Sequence, residues 1–208
     1  MNTRDAYNQW SQTYDSDENN TRDLDRVVTE RVLGQSRFTS ILEVGCGTGK
    51  NTMLFSRIGT RVQVMDFSEH MLQQAKTKLR HVNNVIFLLA DVTERWPCEE
   101  QSADLVSCNL VLEHVRNLQP VFAEAARVLV DRGQLFVCEL HPYRQYQGVV
   151  ANYRNNGQLT QVQAFVHHLS DFLETARRCG FSLKALQEWW HEKDEEKPPR
   201  LVSLLFER

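Results

Sequence analysis

The sequence predicts an α/β protein built around a parallel, doubly wound sheet. Short apolar runs, typical of buried strands, alternate with segments whose apolar residues recur at helical spacing. One of these runs passes directly into a Gly-x-Gly-x-Gly loop, and a helical pattern follows it. At 208 residues the chain is long enough to bury a full core, so we treat residues 1–208 as one domain.

Strands and helices are predicted in alternation. The apolar runs predict strands at 41–45, 62–66, 85–90, 103–108, 134–140, 183–190 and 200–206. Helical spacing predicts helices at 22–33, 53–58, 69–79, 118–129 and 171–179. Ser68 is expected to cap the third helix and Ser170 or Asp171 the last, while Gly59 and Gly133 end two others. The last two strands have no helix between them, so we expect them to pair antiparallel.

Residues 141–168 interrupt this alternation, because 28 residues separate a strand from the next helix. Connections of this length are usually functional or disordered. Segments 147–154 and 158–166 flank an Asn-Asn-Gly turn at 155–157, which is typical of hairpins. We therefore predict a β-hairpin inserted after the fifth strand, above the carboxyl ends of the strands. The alternative is an irregular surface loop.

Composition excludes several classes of protein. The formal net charge is −3, so the chain lacks the basic excess that a nucleic-acid groove needs. No run approaches the ~18 apolar residues of a membrane span, and the first residues lack an apolar signal core. Five scattered cysteines form no Cys-x-x-Cys motif, which indicates a reducing compartment. We expect a cytoplasmic protein without nucleic-acid or membrane partners.

The glycine loop contains Gly45, Gly47 and Gly49, with Cys46 after the first of them. Glycine permits a tight turn and lets a ligand lie against bare backbone, while the following helix directs free N–H groups at that ligand. The third glycine comes one residue too early for the Gly-x-Gly-x-x-Gly dinucleotide fingerprint. Any tight strand-to-helix turn also favours glycine, so the loop alone is weak evidence for a nucleotide-type site.

Polar residues follow the next strands at the points where they end. Asp66 ends the second strand, Asp91 follows the third and Asn109 ends the fourth. In an open α/β sheet the ligand lies beyond the carboxyl ends of the strands, so these residues are expected to lie together. The alternative for Asp66 and Asp91 is a helix cap. The joint pattern behind three successive strands favours the ligand interpretation.

Glu43 and the three glycines form Glu-x-Gly-x-Gly-x-Gly, which resembles motif I of the class I S-adenosylmethionine-dependent methyltransferases. The resemblance implies a Rossmann-like, seven-stranded, mainly parallel sheet whose last strand is antiparallel, with a reversed strand at the edge. It also implies S-adenosyl-L-methionine as the cofactor. The resemblance covers roughly residues 38–140 and 165–181.

Positions that match the family's motifs take the roles that the resemblance implies. Asp66 would hold the ribose hydroxyls, Asp91 the adenine amino group and Glu43 the ammonium of the ligand. Phe67 and Met71 would line the adenine slot. The implied cofactor-binding residues are Tyr14, Glu43, Gly45, Cys46, Gly47, Asp66, Phe67, Met71, Asp91, Val92, Asn109 and Leu110.

The N-terminal segment carries aromatic residues in a second recognisable pattern. Tyr7-x-x-Trp10-x-x-x-Tyr14-Asp15 resembles the opening of small-molecule methyltransferases, where this segment folds over the cofactor. The resemblance implies that residues 1–35 form a helical lid that excludes water from the site. The alternative is that the aromatic residues anchor a core helix.

Methyl transfer from a sulfonium needs alignment and desolvation above all, and a base only where the acceptor arrives protonated. The predicted catalytic residues lie after the fifth strand and at the end of the insert: His141, Tyr143, His167 and His168. Histidine has the right pKa range for a base. Alternatively, His141 hydrogen-bonds the hairpin, or the three histidines hold a metal, although we predict no metal site. His114 is expected to be a packing or capping histidine.

The sequence thus predicts S-adenosylmethionine-dependent methyl transfer to a small-molecule acceptor. Two alternatives stay open. An NAD-dependent oxidoreductase would need the longer glycine spacing and a second mononucleotide-binding half, and neither is visible in the sequence. A non-catalytic module would keep the fold and cofactor site and bind a protein partner, since methyl transfer has no mandatory catalytic signature. The oligomeric state is not predicted.

Overall fold

Nine strands and seven α-helices are present in the computed structural model of the chain, which describes residues 2–155, 158–194 and 196–208. The strands are β1 (Phe38–Val44), β2 (Gly59–Asp66), β3 (Val85–Leu89), β4 (Ala103–Asn109), β5 (Leu129–Leu140), β6 (Asn152–Asn155), β7 (Gln158–Gln161), β8 (Ser182–Trp189) and β9 (Leu201–Glu207). The helices are α1 (Thr3–Trp10), α2 (Asn20–Leu33), α3 (Thr52–Ile58), α4 (Glu69–Lys78), α5 (Leu118–Val128), α6 (Pro142–Tyr146) and α7 (Leu169–Arg178). A short 3-10 helix, Leu112–His114, follows β4.

Seven of the strands form one sheet in the order β3-β2-β1-β4-β5-β9-β8. Strands β1 to β5 pair in parallel, and β9 runs antiparallel to both β5 and β8. This confirms the predicted sheet and the antiparallel last strand. The expectation that the reversed strand lies at the edge is wrong, because β8 occupies the edge. The physical reason is burial: β9 is almost entirely buried, whereas β8 is mostly exposed.

The core lies on both faces of the sheet, as a doubly wound fold requires. One cluster packs apolar residues of α2 and α3 against the sheet, including Val28 and Phe55. The other packs α5 and α7 against the opposite face, including Phe122 and Phe172. All four side chains are no more than 3% exposed. The loops at the carboxyl ends of the parallel strands therefore extend from a well-packed sheet.

Most element boundaries differ by a few residues from the predicted ones, and those around α5, β5 and α7 have a clear physical reason. Helix α5 ends at Val128, and β5 begins at Leu129 because that residue pairs with Ala103. Gly133 consequently lies inside β5 and does not end the helix. Helix α7 begins after His168, whose backbone N–H donates to the carboxylate of Asp171 at 2.7 Å. Ser68 does cap α4, since its hydroxyl accepts from the N–H of Met71.

The insert after β5 contains the predicted hairpin in a shorter form. Strands β6 and β7 pair antiparallel, from Asn152 opposite Gln161 to Asn155 opposite Gln158. Residues 156 and 157 of the predicted turn lie outside the described residues. The hairpin is preceded by α6, which the sequence prediction missed although Pro142 occupies a favourable first helical position. Within the described ranges, no helix is both long and apolar enough to cross a bilayer.

Candidate active site

The glycine loop leaves β1 and turns against the end of β2. The N–H groups of Gly45 and Cys46 both donate to the carbonyl of Met65, at 2.8 and 3.0 Å. Gly45 and Gly47 have φ angles of 71° and 53°, which L side chains rarely adopt. A Cβ on Gly45 would lie 2.2 Å from Val111 Cγ2, whereas a Cβ on Gly47 would meet no described atom within 4 Å. Gly45 is therefore needed for packing, and Gly47 opens onto free space.

A cavity of about 410 Å³ lies at the carboxyl ends of β1 to β4. We call it the donor cavity. Its wall contains every residue predicted to bind the cofactor except Met71: Tyr14, Glu43, Gly45, Cys46, Gly47, Asp66, Phe67, Asp91, Val92, Asn109 and Leu110. Met71 is fully buried in a small cluster with Ala6, Trp10 and Tyr153, and it packs against α1. Contact of these residues with a cofactor remains a prediction.

Asp66 joins the glycine loop to the start of α4. Its Oδ2 accepts from the N–H of Gly47 at 2.8 Å, and its Oδ1 accepts from the N–H of Ser68 at 2.9 Å. Burial raises the pKa of Asp66 to about 6. A carboxylate offers roughly four acceptor positions, so a ligand can use those that the two N–H groups leave.

Glu43 presents a second buried carboxyl group to the donor cavity. It accepts a hydrogen bond from the hydroxyl of Thr52. Burial raises the pKa of Glu43 to about 8, and the nearby Asp25 and Asp66 add to this effect. The group is therefore mostly protonated at neutral pH in the free protein, and a ligand cation would stabilise its ionised form.

Hydrogen bonds hold the residues that were predicted to bind the adenine and the methionine portion, within one loop for Asp91 and across the fold for Asn109. Asp91 Oδ1 accepts from both the N–H and the hydroxyl of Thr93, at 3.0 and 2.7 Å. The amide group of Asn109 donates to Asp25 Oδ1 at 2.7 Å and to Thr29 Oγ1 at 2.9 Å. Because both donors of Asn109 are engaged, its backbone is the part that remains for a ligand.

Arg22 and Asp25 also line the donor cavity, and the sequence prediction missed both. The Arg22 guanidinium donates to the carbonyls of Tyr14 and Asp17, and it lies 3.9 Å from the centroid of the Tyr14 ring. Its Nε is buried without a hydrogen-bond partner among the described residues. The signal was present in the sequence, because Arg22, Asp25 and Thr29 are spaced i, i+3 and i+7 and share one face of α2.

Tyr7 and His114 also line the donor cavity and are bonded to each other. Tyr7 Oη lies 2.7 Å from His114 Nε2, and His114 Nδ1 lies 2.7 Å from the carbonyl of Gln163. Desolvation by burial raises the pKa of Tyr7 well above its usual range and lowers the pKa of His114. His114 thus holds the aromatic segment against the insert, in agreement with the expected packing role.

The predicted catalytic residues at the start of the insert have partners away from the donor cavity. His141 Nε2 lies 2.9 Å from Glu188 Oε1 on β8, and His141 Nδ1 accepts from the N–H of Tyr143 at 3.1 Å. Tyr143 is 49% exposed. Neither residue is in the wall of the donor cavity.

The two histidines at the end of the insert are separated from each other. His167 is buried, and its Nε2 donates to the carbonyls of Leu112 and Val115 at 3.1 and 2.7 Å. His168 is exposed, and its Nδ1 lies 2.7 Å from Tyr146 Oη. The structure does not bring His141, His167 and His168 together. Among the described residues, no group of three His, Cys, Asp or Glu side chains could hold a metal ion.

The comparison with known families identifies the kind of domain in the middle of the chain. Residues 42–137 match the model of the methyltransferase domain. This match supports the resemblance to the class I S-adenosylmethionine-dependent methyltransferase family. The matched segment includes most of β1, the glycine loop, β2, β3, β4 and most of β5, and so most of the wall of the donor cavity.

Relatives and solved structures agree with this resemblance. A demethylmenaquinone methyltransferase of Tropheryma whipplei is 35% identical over 115 residues, which cover 55% of this chain and 47% of that protein. The chain therefore spans about half the length of this curated relative. The structure of an S-adenosylmethionine-dependent methyltransferase from Mesorhizobium loti shares the fold, with a TM-score of 0.73, 17% identity and coverage of 90% and 100%. The N-methyltransferase NodS of Bradyrhizobium japonicum, solved with S-adenosyl-L-homocysteine, has a TM-score of 0.75, 14% identity and coverage of 100% and 99%.

Proposed function

We propose that the chain binds S-adenosylmethionine in the donor cavity and transfers its methyl group to a small-molecule acceptor. The observation that carries this proposal is the open face of Gly47 in a wall that also contains Asp66 and Glu43. Bare backbone with free space before it is what a closely packed ligand requires. The demethylmenaquinone methyltransferase to which the chain is similar is named for a small-molecule acceptor.

The charges of the cavity wall suit the groups of this cofactor. Asp66 has acceptor positions left for the ribose hydroxyls, and Asp91 lies where the adenine amino group is expected. Glu43 suits the ammonium group, because a cation offsets the penalty of ionising a buried carboxyl. Arg22 suits the carboxylate, since its buried Nε has no partner among the described residues.

The chemistry assigns different tasks to the cofactor and to the protein. The bound cofactor supplies a methyl group on a positively charged sulfur, which a nucleophile attacks in line. Tyr7 and Tyr14 stand over the cavity as part of a lid formed by the N-terminal segment, and they would exclude water from the site. Backbone atoms of Asn109 and Leu110 would orient the methionine portion.

The cysteines and the net charge bear on the location and the partners of the protein. All five cysteines are free, which suits a reducing compartment such as the cytoplasm. A net charge of −3 does not favour binding to nucleic acid. We infer a cytoplasmic enzyme whose partner is a small molecule.

Calorimetry with the full chain tests this function against its alternatives. We expect binding of S-adenosylmethionine and S-adenosylhomocysteine and no binding of NAD, because the loop lacks the dinucleotide spacing. Transfer of a labelled methyl group to a metabolite mixture would separate an enzyme from a cofactor-binding partner protein. Binding of NAD alone would contradict the proposal.

We predict that Glu43 releases a proton when the cofactor binds. The pKa of Glu43 is about 8 in the free protein, and the ligand ammonium would lower it. We expect up to about one proton to leave Glu43 per cofactor bound near pH 7. Calorimetry in buffers of different ionisation enthalpy measures this number. Glu43→Gln should remove the release, and the surface variant Glu174→Gln should retain it; an unchanged release in Glu43→Gln would refute the assignment.

A further inference from the structure

A second cavity of about 580 Å³ adjoins the donor cavity. The two cavities share the wall residues Tyr7, Tyr14, Arg22 and Leu110. The remaining wall includes apolar residues from the end of β5 and from the insert, such as Leu140, Val150 and Leu159. A molecule in the second cavity would therefore lie next to a donor, with the side chains of these four residues at the boundary.

Glu113 lines the second cavity from the 3-10 helix that follows β4. The residue is 6% exposed, and its Oε2 has no hydrogen-bond partner among the described residues. Leaving a buried carboxylate oxygen unsatisfied is unfavourable, so a group of this kind at a cavity wall indicates a ligand that pairs with it. Burial also raises the pKa of Glu113 to about 7, which suits a proton acceptor near neutral pH.

The neighbouring His114 is not free for this task. With its pKa lowered by burial, its neutral ring donates from Nδ1 to the carbonyl of Gln163 and accepts at Nε2 from the hydroxyl of Tyr7. Its Nε2 lies 3.7 Å from Glu113 Oε1. Both nitrogens of His114 are therefore engaged, while Glu113 retains a free oxygen.

We propose that the second cavity holds the methyl acceptor and that Glu113 takes up the proton of the acceptor. This inference rests on the proposed function. The acceptor atom forms a bond to the methyl carbon, and the carbon–sulfur bond breaks with its electron pair remaining on sulfur. The acceptor's bond to hydrogen breaks and its proton passes to the carboxylate of Glu113. A neutral acceptor, a sulfonium and a carboxylate thus become a methylated product, a thioether and a carboxylic acid, so that atoms and charge balance.

The wall of the second cavity combines apolar residues with charges of both signs, and Asp17, Glu18 and Arg200 are already paired with Trp10, Lys193 and Asp194. These surroundings favour a neutral acceptor that carries a phenol or a thiol. The Arg22 guanidinium already lies 5.2 Å from the Trp10 ring centroid and 3.9 Å from the Tyr14 ring centroid. A cationic amine would form an ion pair with Glu113 and would have no free lone pair for the methyl group, and a carboxylate arrives ionised and needs no base. A phenol or a thiol enters uncharged and has a weakly acidic proton that a base must remove.

The test measures methyl transfer and binding with four probes: 4-methylphenol, phenylmethanethiol, benzylamine and 4-methylbenzoate. We expect the full chain to methylate the phenol or the thiol and neither the amine nor the acid. Glu113→Gln should lower kcat by about 100-fold or more and leave S-adenosylhomocysteine affinity within threefold, the range expected when a general base is lost. Calorimetry of the phenol and thiol with the S-adenosylhomocysteine complex gives a readout that does not depend on turnover.

The pH profile separates a base from a structural residue. The wild-type kcat should fall as pH drops through about 7, because Glu113 must be ionised, and Glu113→Gln should lose this limb. The ionisable groups near Glu113 include His114, Tyr7, Glu139 and Arg22, and the same cavity wall also carries Tyr14, Asp17, Glu18, Tyr153 and Arg200. Burial raises the pKa of Glu139 to about 8 and lowers the pKa of His114. Glu139 is therefore the group most easily confused with Glu113, and both Glu139→Gln and His114→Asn should keep the limb.

A second pair of variants tests the cavity without touching Glu113. Val150→Trp should fill the second cavity and abolish probe binding while S-adenosylhomocysteine still binds. Val27→Trp places the same side chain on the exposed face of α2 and should change neither. The inference would be overturned by normal kinetics of Glu113→Gln or by normal probe binding of Val150→Trp. It would also be overturned if the wild type methylated neither the phenol nor the thiol, or only the amine or the acid. Failure of S-adenosylhomocysteine to bind the wild type would instead overturn the proposed function.

Discussion

Gly47→Val is expected to abolish cofactor binding, with the Kd for S-adenosylhomocysteine rising at least about 100-fold, or ~2.7 kcal/mol. The φ of Gly47 is 53°, which a β-branched residue adopts only under strain. The free space before this residue is where the ligand would lie, so the two methyl groups of valine would occupy the ligand's volume. Calorimetry measures the affinity, and thermal unfolding shows how far the apo protein is destabilised.

Gly180→Val is the matched control for this variant. Gly180 has a φ of 85°, and a Cβ built on it meets no described atom within 4 Å, but it lies after α7 and away from the donor cavity. Both variants carry backbone strain of about 1–3 kcal/mol. Gly180→Val should therefore bind the cofactor normally. Full binding by Gly47→Val would show that the loop does not contact the ligand.

Asp66→Ala is expected to weaken S-adenosylhomocysteine binding by about ten- to a hundredfold, because a charge-assisted hydrogen bond contributes roughly 1.5–3 kcal/mol. The variant should also lower the free energy of unfolding by about 1–3 kcal/mol, since the N–H groups of Gly47 and Ser68 lose their acceptor. The protein should still fold. Calorimetry and urea denaturation measure the two effects separately.

Asp104→Ala separates these effects at a matched position. Asp104 also accepts from two backbone N–H groups, those of Thr39 and Ser40 at 2.7 and 3.0 Å, but at the opposite end of β1. This variant should lose stability and keep its cofactor affinity. An Asp66→Ala protein with unchanged affinity would refute the ribose assignment.

Much of the fold and of the donor cavity was predictable because both depend on local patterns. Apolar runs and helical spacing placed the strands and most helices, and parallel connectivity brings the carboxyl ends of consecutive strands to one edge. The positions of Glu43, Asp66 and Asp91 in one wall follow from that connectivity. Met71 was misplaced because consecutive residues on a helix face different directions, and its side chain points into the cluster under α1.

The positions of the side chains in the insert were not predictable from the sequence, because they depend on contacts between distant parts of the chain. The insert after β5 has a weak periodic signal, so the directions of His141, Tyr143, His167 and His168 depend on contacts with distant elements. His141 is held by Glu188 on β8, and His167 by carbonyl groups after β4. A titratable residue that closely follows a strand in the sequence, such as His141, can therefore lie outside the wall of the donor cavity.

The amino-acid sequence by itself determined the sheet, the glycine loop and the edge where a cofactor would bind, since these features follow from short-range spacing and chain connectivity. Only the tertiary structure decided which polar side chains are buried at that edge. Arg22 reaches the cavity from the first turn of α2, because that helix packs against one face of the sheet. Glu113 is left with a free oxygen because neighbouring groups satisfy one another. Burial and hydrogen-bond pairing are properties of residues far apart in the chain, and these properties set the charges available for chemistry.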